Sequence, residues 1–165
     1  MPGITDIAIE RVESPDGRQA ICLDILRALP DWFGNAEAVI DYGQQCRALP
    51  VFAAFAPGDN ASPRGAVGFS ALKQHNAFTS EICVMGVKPA FHHKGIGSSL
   101  LAACEDACRA GGVRFLTVKT LADTVPDESY AATRAFYRAM GFMPLEVFPL
   151  HWDEANPCLL MVKAI

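Results

Sequence analysis

No run of lysine or arginine occurs anywhere in the 165 residues, and the formal net charge is −4. A broad nucleic-acid surface is therefore not expected. No apolar stretch approaches the roughly 18 residues of a membrane-spanning helix, so no membrane partner is expected either. The N-terminal MPGITDIAIERVESPDG lacks a basic region followed by an apolar core. A secretory leader is not expected, and a cytoplasmic location is. Six cysteines stand at 22, 46, 83, 104, 108 and 158, but no C-x-x-C occurs. Ligand spacing for a metal is missing, so the expectation is no metal and buried free thiols.

What the chain does contain is apolar residues in patterned segments: 51% hydrophobic against 19% charged, a globular composition that suits one domain, 1–165. IAIERV (7–12) alternates as a strand, and SPDG breaks it. RQAICLDILRALPDWF carries a helical stripe of Ile21, Ile25, Leu26 and Leu29, ended by Pro30. AEAVIDYGQQCRAL (36–49) is a weaker helix interrupted by Gly43. VFAAFA (51–56) and RGAVGFSALKQ (64–74) read as strands joined by the turn PGDNASP. HNAFTS turns the chain into a further strand, EICVMGV (81–87).

A helix from Ser98 to Ala110 follows, ended by Gly111-Gly112. VRFLTVK (113–119) is a strand, a helix lies near 129–140, and PLEVF and CLLMVKAI are two closing strands. The order β-α-α-β-β-β-α-β-α-β-β predicts one mixed α/β domain.

Between a strand and a helix stands FHHKGIGSSLL, Phe91 to Leu101. Unpaired amides at a helix N-terminus, with glycines that let a ligand approach the backbone, form an anion site. An ordinary helix entry would use glycines too. The P-loop string G-x-x-x-x-G-K-[ST] is absent. The dinucleotide fingerprint fails at Leu100, where close helix packing wants no bulk.

A third pattern fits. Val87-Lys88-Pro89-Ala90-Phe91-His92-His93-Lys94-Gly95-Ile96-Gly97-Ser98-Ser99-Leu100-Leu101 resembles the V-x-P-x-x-(Q/R)-x-x-G-x-G/A signature of the GCN5-related N-acetyltransferases, the GNAT superfamily, with His92 where the pattern has Gln or Arg. Downstream, Tyr130 to Phe142 (YAATRAFYRAMGF) is similar to the family's N-x-x-A-x-x-x-Y-x-x-x-G-F. Tyr137 and Gly141-Phe142 match, while Tyr130 and Thr133 replace Asn and Ala. The resemblance covers about residues 64–162; the N-terminal third fits by element order only.

The resemblance implies the GNAT fold, a central, mixed but mostly antiparallel sheet of about seven strands flanked by about four helices. It implies acetyl-CoA as co-substrate, its pyrophosphate wrapped by the amides of His92, His93, Lys94, Gly95, Ile96, Gly97, Ser98 and Ser99. Backbone groups near Met85 and Val87 would pair with the pantetheine arm, and Gly86 is compatible with a bulge there. Tyr130 would line the cofactor channel or simply pack.

Acetyl transfer needs a neutral amine, a held oxyanion and a proton for the departing thiolate, and no protein nucleophile. Tyr137 is the family's general acid, and a phenol near pKa 10 is protonated at neutral pH. Glu81 lies fourteen residues before Gly95, the offset of the general base in the histone-acetyltransferase branch. A charge at that place equally marks a solvated strand end.

On the acceptor side the family uses the first two helices and the last loop. Leu29, Trp32 and Phe33 at a helix-helix corner, with His151 and Trp152 in the final hairpin loop, would wall the pocket, or pack. His151 is a substitute base, and His75 reads as a solvated turn residue. The expectation is thus acetyl transfer to a primary amine of a small molecule. Net acidity and Asp153 lean toward a cationic one. Another acyl donor, a hydroxyl acceptor, or an acetyl-CoA sensor without turnover remain the alternatives. The last strands of this fold often pair between subunits, so a homodimer is allowed.

Overall fold

The computed structural model describes residues 6–57 and 65–165. The elements are β1 (Ala8–Arg11), α1 (Pro15–Arg27), α2 (Ala36–Cys46), β2 (Val51–Phe55), β3 (Ala66–Gln74), β4 (Thr79–Val87), α3 (Ile96–Ala110), β5 (Phe115–Leu121), α4 (Glu128–Ala139), β6 (Met143–Asp153) and β7 (Asn156–Ala164). A single 3-10 turn at Pro89–Phe91 precedes α3. The strands follow the hydrogen-bonded order β1-β2-β3-β4-β5-β7-β6. The pairs β1–β2, β2–β3, β5–β7 and β6–β7 are antiparallel, and β4–β5 is parallel. The expected mixed sheet of seven strands with four helices is observed. Among the described residues no helix is long and apolar enough to cross a membrane.

Contacts divide the chain into two compact units, Met1–Lys73 with Val84–Asp106, and Gln74–Cys83 with Ala107–Ile165. In the first, alternation along β2 and β3 sends side chains to two faces. Ala53, Phe69 and Ala71 join Ile25, Leu26 and Leu29 of α1 and its C-terminal turn. Ala54 and Val67 join Ile96 and Leu100 of α3, against which Met85, Val87 and Phe91 pack.

The first strand ends at Arg11, before SPDG as expected, and SPDG also starts α1: the Ser14 hydroxyl accepts from the Gly17 amide at 3.2 Å, and Pro15 occupies the first turn. The helix ends at Arg27, before Pro30. Gly43 does not interrupt α2; a Cβ there would lie 2.9 Å from Leu23 Cδ2, so α2 approaches α1 at that point. The turn expected at 57–63 lies, apart from Pro57, outside the described residues.

In the second unit, the parallel ladder of β4 with β5 covers Thr79–Ile82 against Phe115–Val118. β7 pairs with β5 over Phe115–Leu121. β6 is longer than PLEVF and is exposed along all eleven residues, with register shifts against β7 on either side of its middle. It therefore includes His151 and Trp152, which lie in a strand and not in the loop expected for them.

Gly86 faces α1: an added Cβ would stand 2.8 Å from Leu29 Cδ1 and 3.2 Å from Ile25 Cγ2. Both partners are buried, at 3% and 0% exposure, and have little room to retreat. Close helix-strand packing thus accounts for this glycine. Gly86→Val is expected to cost about 1–3 kcal/mol through overpacking, read as a lower urea midpoint at unchanged slope.

Candidate functional site

The first unit holds the glycine turn. After Val87 the chain makes the 3-10 turn, extends at His92, and enters the left-handed region at His93 (φ 59°) and again at Gly95 (φ 79°). Two left-handed residues in three are uncommon outside glycine, and they turn successive amides toward one side. α3 then begins at Ile96, two residues earlier than the sequence pattern suggests. Its first amides have no partner within the helix. Ser99 closes the turn through its amide and its hydroxyl, each donating to the Gly95 carbonyl at 3.1 Å. A Cβ built on Gly95 meets nothing within 4 Å, so the turn borders open space. A backbone concavity beside a helix N-terminus, with room before it, fits a pyrophosphate group.

His92 does not point into that space. Its Nε2 donates to the Val87 carbonyl at 2.6 Å, and its ring stands edge-on to Trp32, with centroids 5.7 Å apart. The histidine that replaces the family's Gln or Arg therefore braces the turn from behind. Lys94 Nζ lies 5.3 Å from the centroid of the Phe91 ring. Lys88 is paired with Asp24 of α1 at 2.6 Å. At the helix-helix corner, the amides of Trp32 and Phe33 both donate to the Leu29 carbonyl. Leu29 is a core residue, 3% exposed, whereas Trp32 and Phe33 are only partly buried.

The second unit holds Glu81, Tyr130, Tyr137, His151 and Trp152. Glu81 is not a solvated strand end: it is 7% exposed. Its Oε1 accepts from His75 Nε2 at 2.6 Å and from Lys119 Nζ at 3.2 Å. His75 is correspondingly not a bystander of the turn, because one edge of its ring is bonded to this carboxylate. Cys158 belongs to the same surroundings. Burial pushes its thiol above the usual range, Lys119 draws it down, and Glu81 pushes it up.

Tyr137 is 5% exposed. Its ring is flanked edge-on by Phe136 at 5.2 Å and Phe142 at 5.3 Å, so the Gly-Phe after the helix serves to hold the tyrosine. Tyr130 sits in the first turn of α4, its amide donating to the capping Asp127 at 3.0 Å. Burial, then the Asp127 charge, raise its phenol above the ordinary value and keep it neutral. His151 and Trp152 are exposed on β6 with rings 5.7 Å apart.

The sequence reading missed His75, Lys119 and Arg134. The first two follow from register. The His75 amide donates to the Thr79 carbonyl, and Glu81 is two residues further on the same strand face. Thr117 opposes Glu81, and Lys119 is again two residues on. Arg134 is 7% exposed within α4 and donates to the Leu121 carbonyl at the end of β5 at 2.7 Å. No sequence pattern announced it. Five of the six cysteines are buried, and none is in a disulfide. Among the described residues no three His, Cys, Asp or Glu side chains gather as a metal site.

Comparison with known proteins bears on the fold and the family. A family model described as an acetyltransferase (GNAT) domain matches residues 58–144, more than half of the chain. The chain is 38% identical over 78 residues to the N-alpha-acetyltransferase RimI of Mycobacterium tuberculosis, a match spanning 47% of this chain and 44% of that protein. The chain thus spans less than half the length of that relative in the matched region. Among solved structures, a GNAT family acetyltransferase from Elizabethkingia anophelis with acetyl-CoA bound superposes with a TM-score of 0.70 at 17% identity, over 97% of this chain and 99% of that one. The ribosomal-protein-S18-alanine N-acetyltransferase from Escherichia coli does so with a TM-score of 0.70 at 17% identity, over 96% and 94%. At such identities the structures speak for the fold, while the family model speaks for descent: the chain belongs to the GNAT acetyltransferase family.

Proposed function

We propose that this protein is an N-acetyltransferase that moves an acetyl group from acetyl-CoA to a primary amine by direct attack in a ternary complex. The observation that carries the reading is the turn of residues 92–99, with left-handed His93 and Gly95 opening onto the N-terminus of α3. In this family such a turn holds the pyrophosphate. Its amides from His93 to Ser98 would bind the diphosphate, Ser99 being spent on the Gly95 carbonyl and His92 bracing the turn through the Val87 carbonyl. Backbone groups of Met85 and Val87 would hold the pantetheine arm. The β4–β5 ladder reaches only Ile82, three residues before Met85, which supports that assignment.

Bound in this way, acetyl-CoA supplies an activated thioester carbonyl. Tyr137 supplies the proton that the thiolate needs on departure, and its aromatic flanks fix the hydroxyl's direction. Tyr130, kept neutral by burial, lines the channel without adding charge. Glu81 supplies the negative charge that draws a proton from the ammonium form of the acceptor. Trp32, Phe33, His151 and Trp152 are the candidate acceptor contacts. Leu29, being a core residue, acts by supporting that corner.

The acceptor is read as a small-molecule amine, and the protein as cytoplasmic. A second acceptor class, the α-amine of a peptide N-terminus, is favoured by the 38% identity to an N-alpha-acetyltransferase. Free thiol release with a panel of polyamines, amino acids, aminoglycosides and short peptides separates the two. An acetyl-CoA sensor without turnover would bind coenzyme A and release thiol with none of them.

Tyr137→Phe is expected to lower kcat by about 10²-fold or more while coenzyme A binds as before, measured by thiol release and calorimetry. An unchanged kcat would remove Tyr137 from the reaction. Gly95→Val forces a β-branched side chain into the left-handed region and should weaken coenzyme A binding at least tenfold. Undiminished binding would move the cofactor away from this turn.

A further inference from the structure

The pair His75–Glu81 carries more than the anchoring of a hairpin. The Glu81 carboxylate is 7% exposed, and Oε1 has both of its lone pairs engaged, one by His75 Nε2 and one by Lys119 Nζ. The imidazole is placed the other way round. Its Nε2 edge is bonded inward at 2.6 Å, and 36% of the side chain stays open to solvent. The hairpin holds it there. The His75 amide donates to Thr79, and the Asn76 side chain accepts from the amides of Phe78 and Thr79. A histidine bonded to a buried carboxylate through one nitrogen has its tautomer set: Nε2 carries the proton and Nδ1 carries a lone pair. Hydrolytic triads use the same principle, a buried carboxylate orienting a histidine base, with the roles of the two ring nitrogens exchanged.

We propose that His75 Nδ1 is the atom that receives the proton of the acceptor amine, with Glu81 as the carboxylate that orients and charge-balances the ring. This rests on the acetyltransferase reading and refines it, because it moves the proton-accepting atom from the carboxylate to the imidazole. The N–H bond of the primary ammonium breaks, and its proton passes to the Nδ1 lone pair, directly or through one water. The amine nitrogen keeps the electron pair and is free to attack the acetyl carbonyl. The ring becomes an imidazolium whose Nε2–H remains on Glu81 Oε1, and the Nδ1 proton then leaves to solvent. The charged and titratable groups in these surroundings are Glu81 on β4, Lys119 on β5 and Cys158 on β7. Lys119 Nζ donates to the same Glu81 oxygen, and burial raises the Cys158 thiol above its usual range. The 36% of the side chain that stays open to solvent offers the route for the proton.

The test is kinetic and spectroscopic. In His75→Ala and His75→Gln alike, kcat with the best amine of the panel should fall by about 10²-fold, with coenzyme A affinity unchanged and the acid-side limb of the pH–rate profile lost. Added imidazole should restore part of the His75→Ala rate. Glutamine keeps an N–H for Glu81 but has no basic nitrogen. A His75→Gln variant with the parental rate and profile would therefore reduce His75 to a positioning residue and overturn the proposal. If the parent turns over no amine at all, the acetyltransferase reading fails, and the pair is judged by nitrogen NMR of the His75 ring. There an Nε2–H tautomer that Glu81→Gln releases supports the oriented imidazole, and an Nδ1–H tautomer sinks it even in a protein that is active.

Discussion

The constraint on which much else depends is that β4 is packed along one face and half-buried along the other. Ser80, Ile82, Val84 and Gly86 are all buried, and Gly86 has lost its side chain to let Leu29 and Ile25 come close. The alternate positions are Glu81, Cys83, Met85 and Val87, of which all but Glu81 are only half-buried. Met85 and Val87 pack in turn against the α3 cluster, so the strand's backbone and side-chain groups have little freedom to wander. The proposed roles of this strand, holding a cofactor arm and placing a charge, would require such rigidity. The turn that follows continues the same logic. His92 is tied to the carbonyl of the last residue of β4, so the amides beyond it start from a fixed point.

The exception on β4 is Glu81, a carboxylate taken almost out of water. A buried charge is tolerated when it is paired and hydrogen-bonded, and costly otherwise. Here one neighbour comes from the hairpin before β4 and the other from β5. Removing either partner would leave part of that cost uncompensated. The arrangement therefore ties the geometry of three separate segments to one oxygen atom. Such a cluster is more specific than strong. It sets where the groups stand more than it adds to stability, since desolvation offsets much of the attraction.

How much of this was legible in the chain follows from how local each feature is. The glycine turn and the Tyr137 helix are written in consecutive residues, and so are the strand segments β2, β3 and β4 and the order of elements. Features that depend on register were not. His75 and Glu81 are six residues apart and meet because a hairpin folds them together, which a reading of His75 as a turn residue overlooks. Ser14-Pro15 ends the strand region as read, but its second role as a helix start was not seen, because proline punctuates both loops and helix starts and only the capping bond shows it. Gly43 looked like an interruption since its value lies in the contact with Leu23 on another helix. β6 runs past its expected end because none of it is buried, so no apolar periodicity marks its limits.

That last strand carries a consequence for how the protein behaves at high concentration. Met143, Leu145, Val147, Phe148, Leu150 and Trp152 are all exposed, and β6 is the final strand in the hydrogen-bonded order. A long apolar edge of this kind is a template for runaway strand addition and fibril growth. Two prolines, at 144 and 149, interrupt it with positions that have no amide hydrogen, and the register shifts twist it locally. The edge therefore offers a sticky surface for a shaped, finite contact while lacking the unbroken row of donors that an endless stack requires.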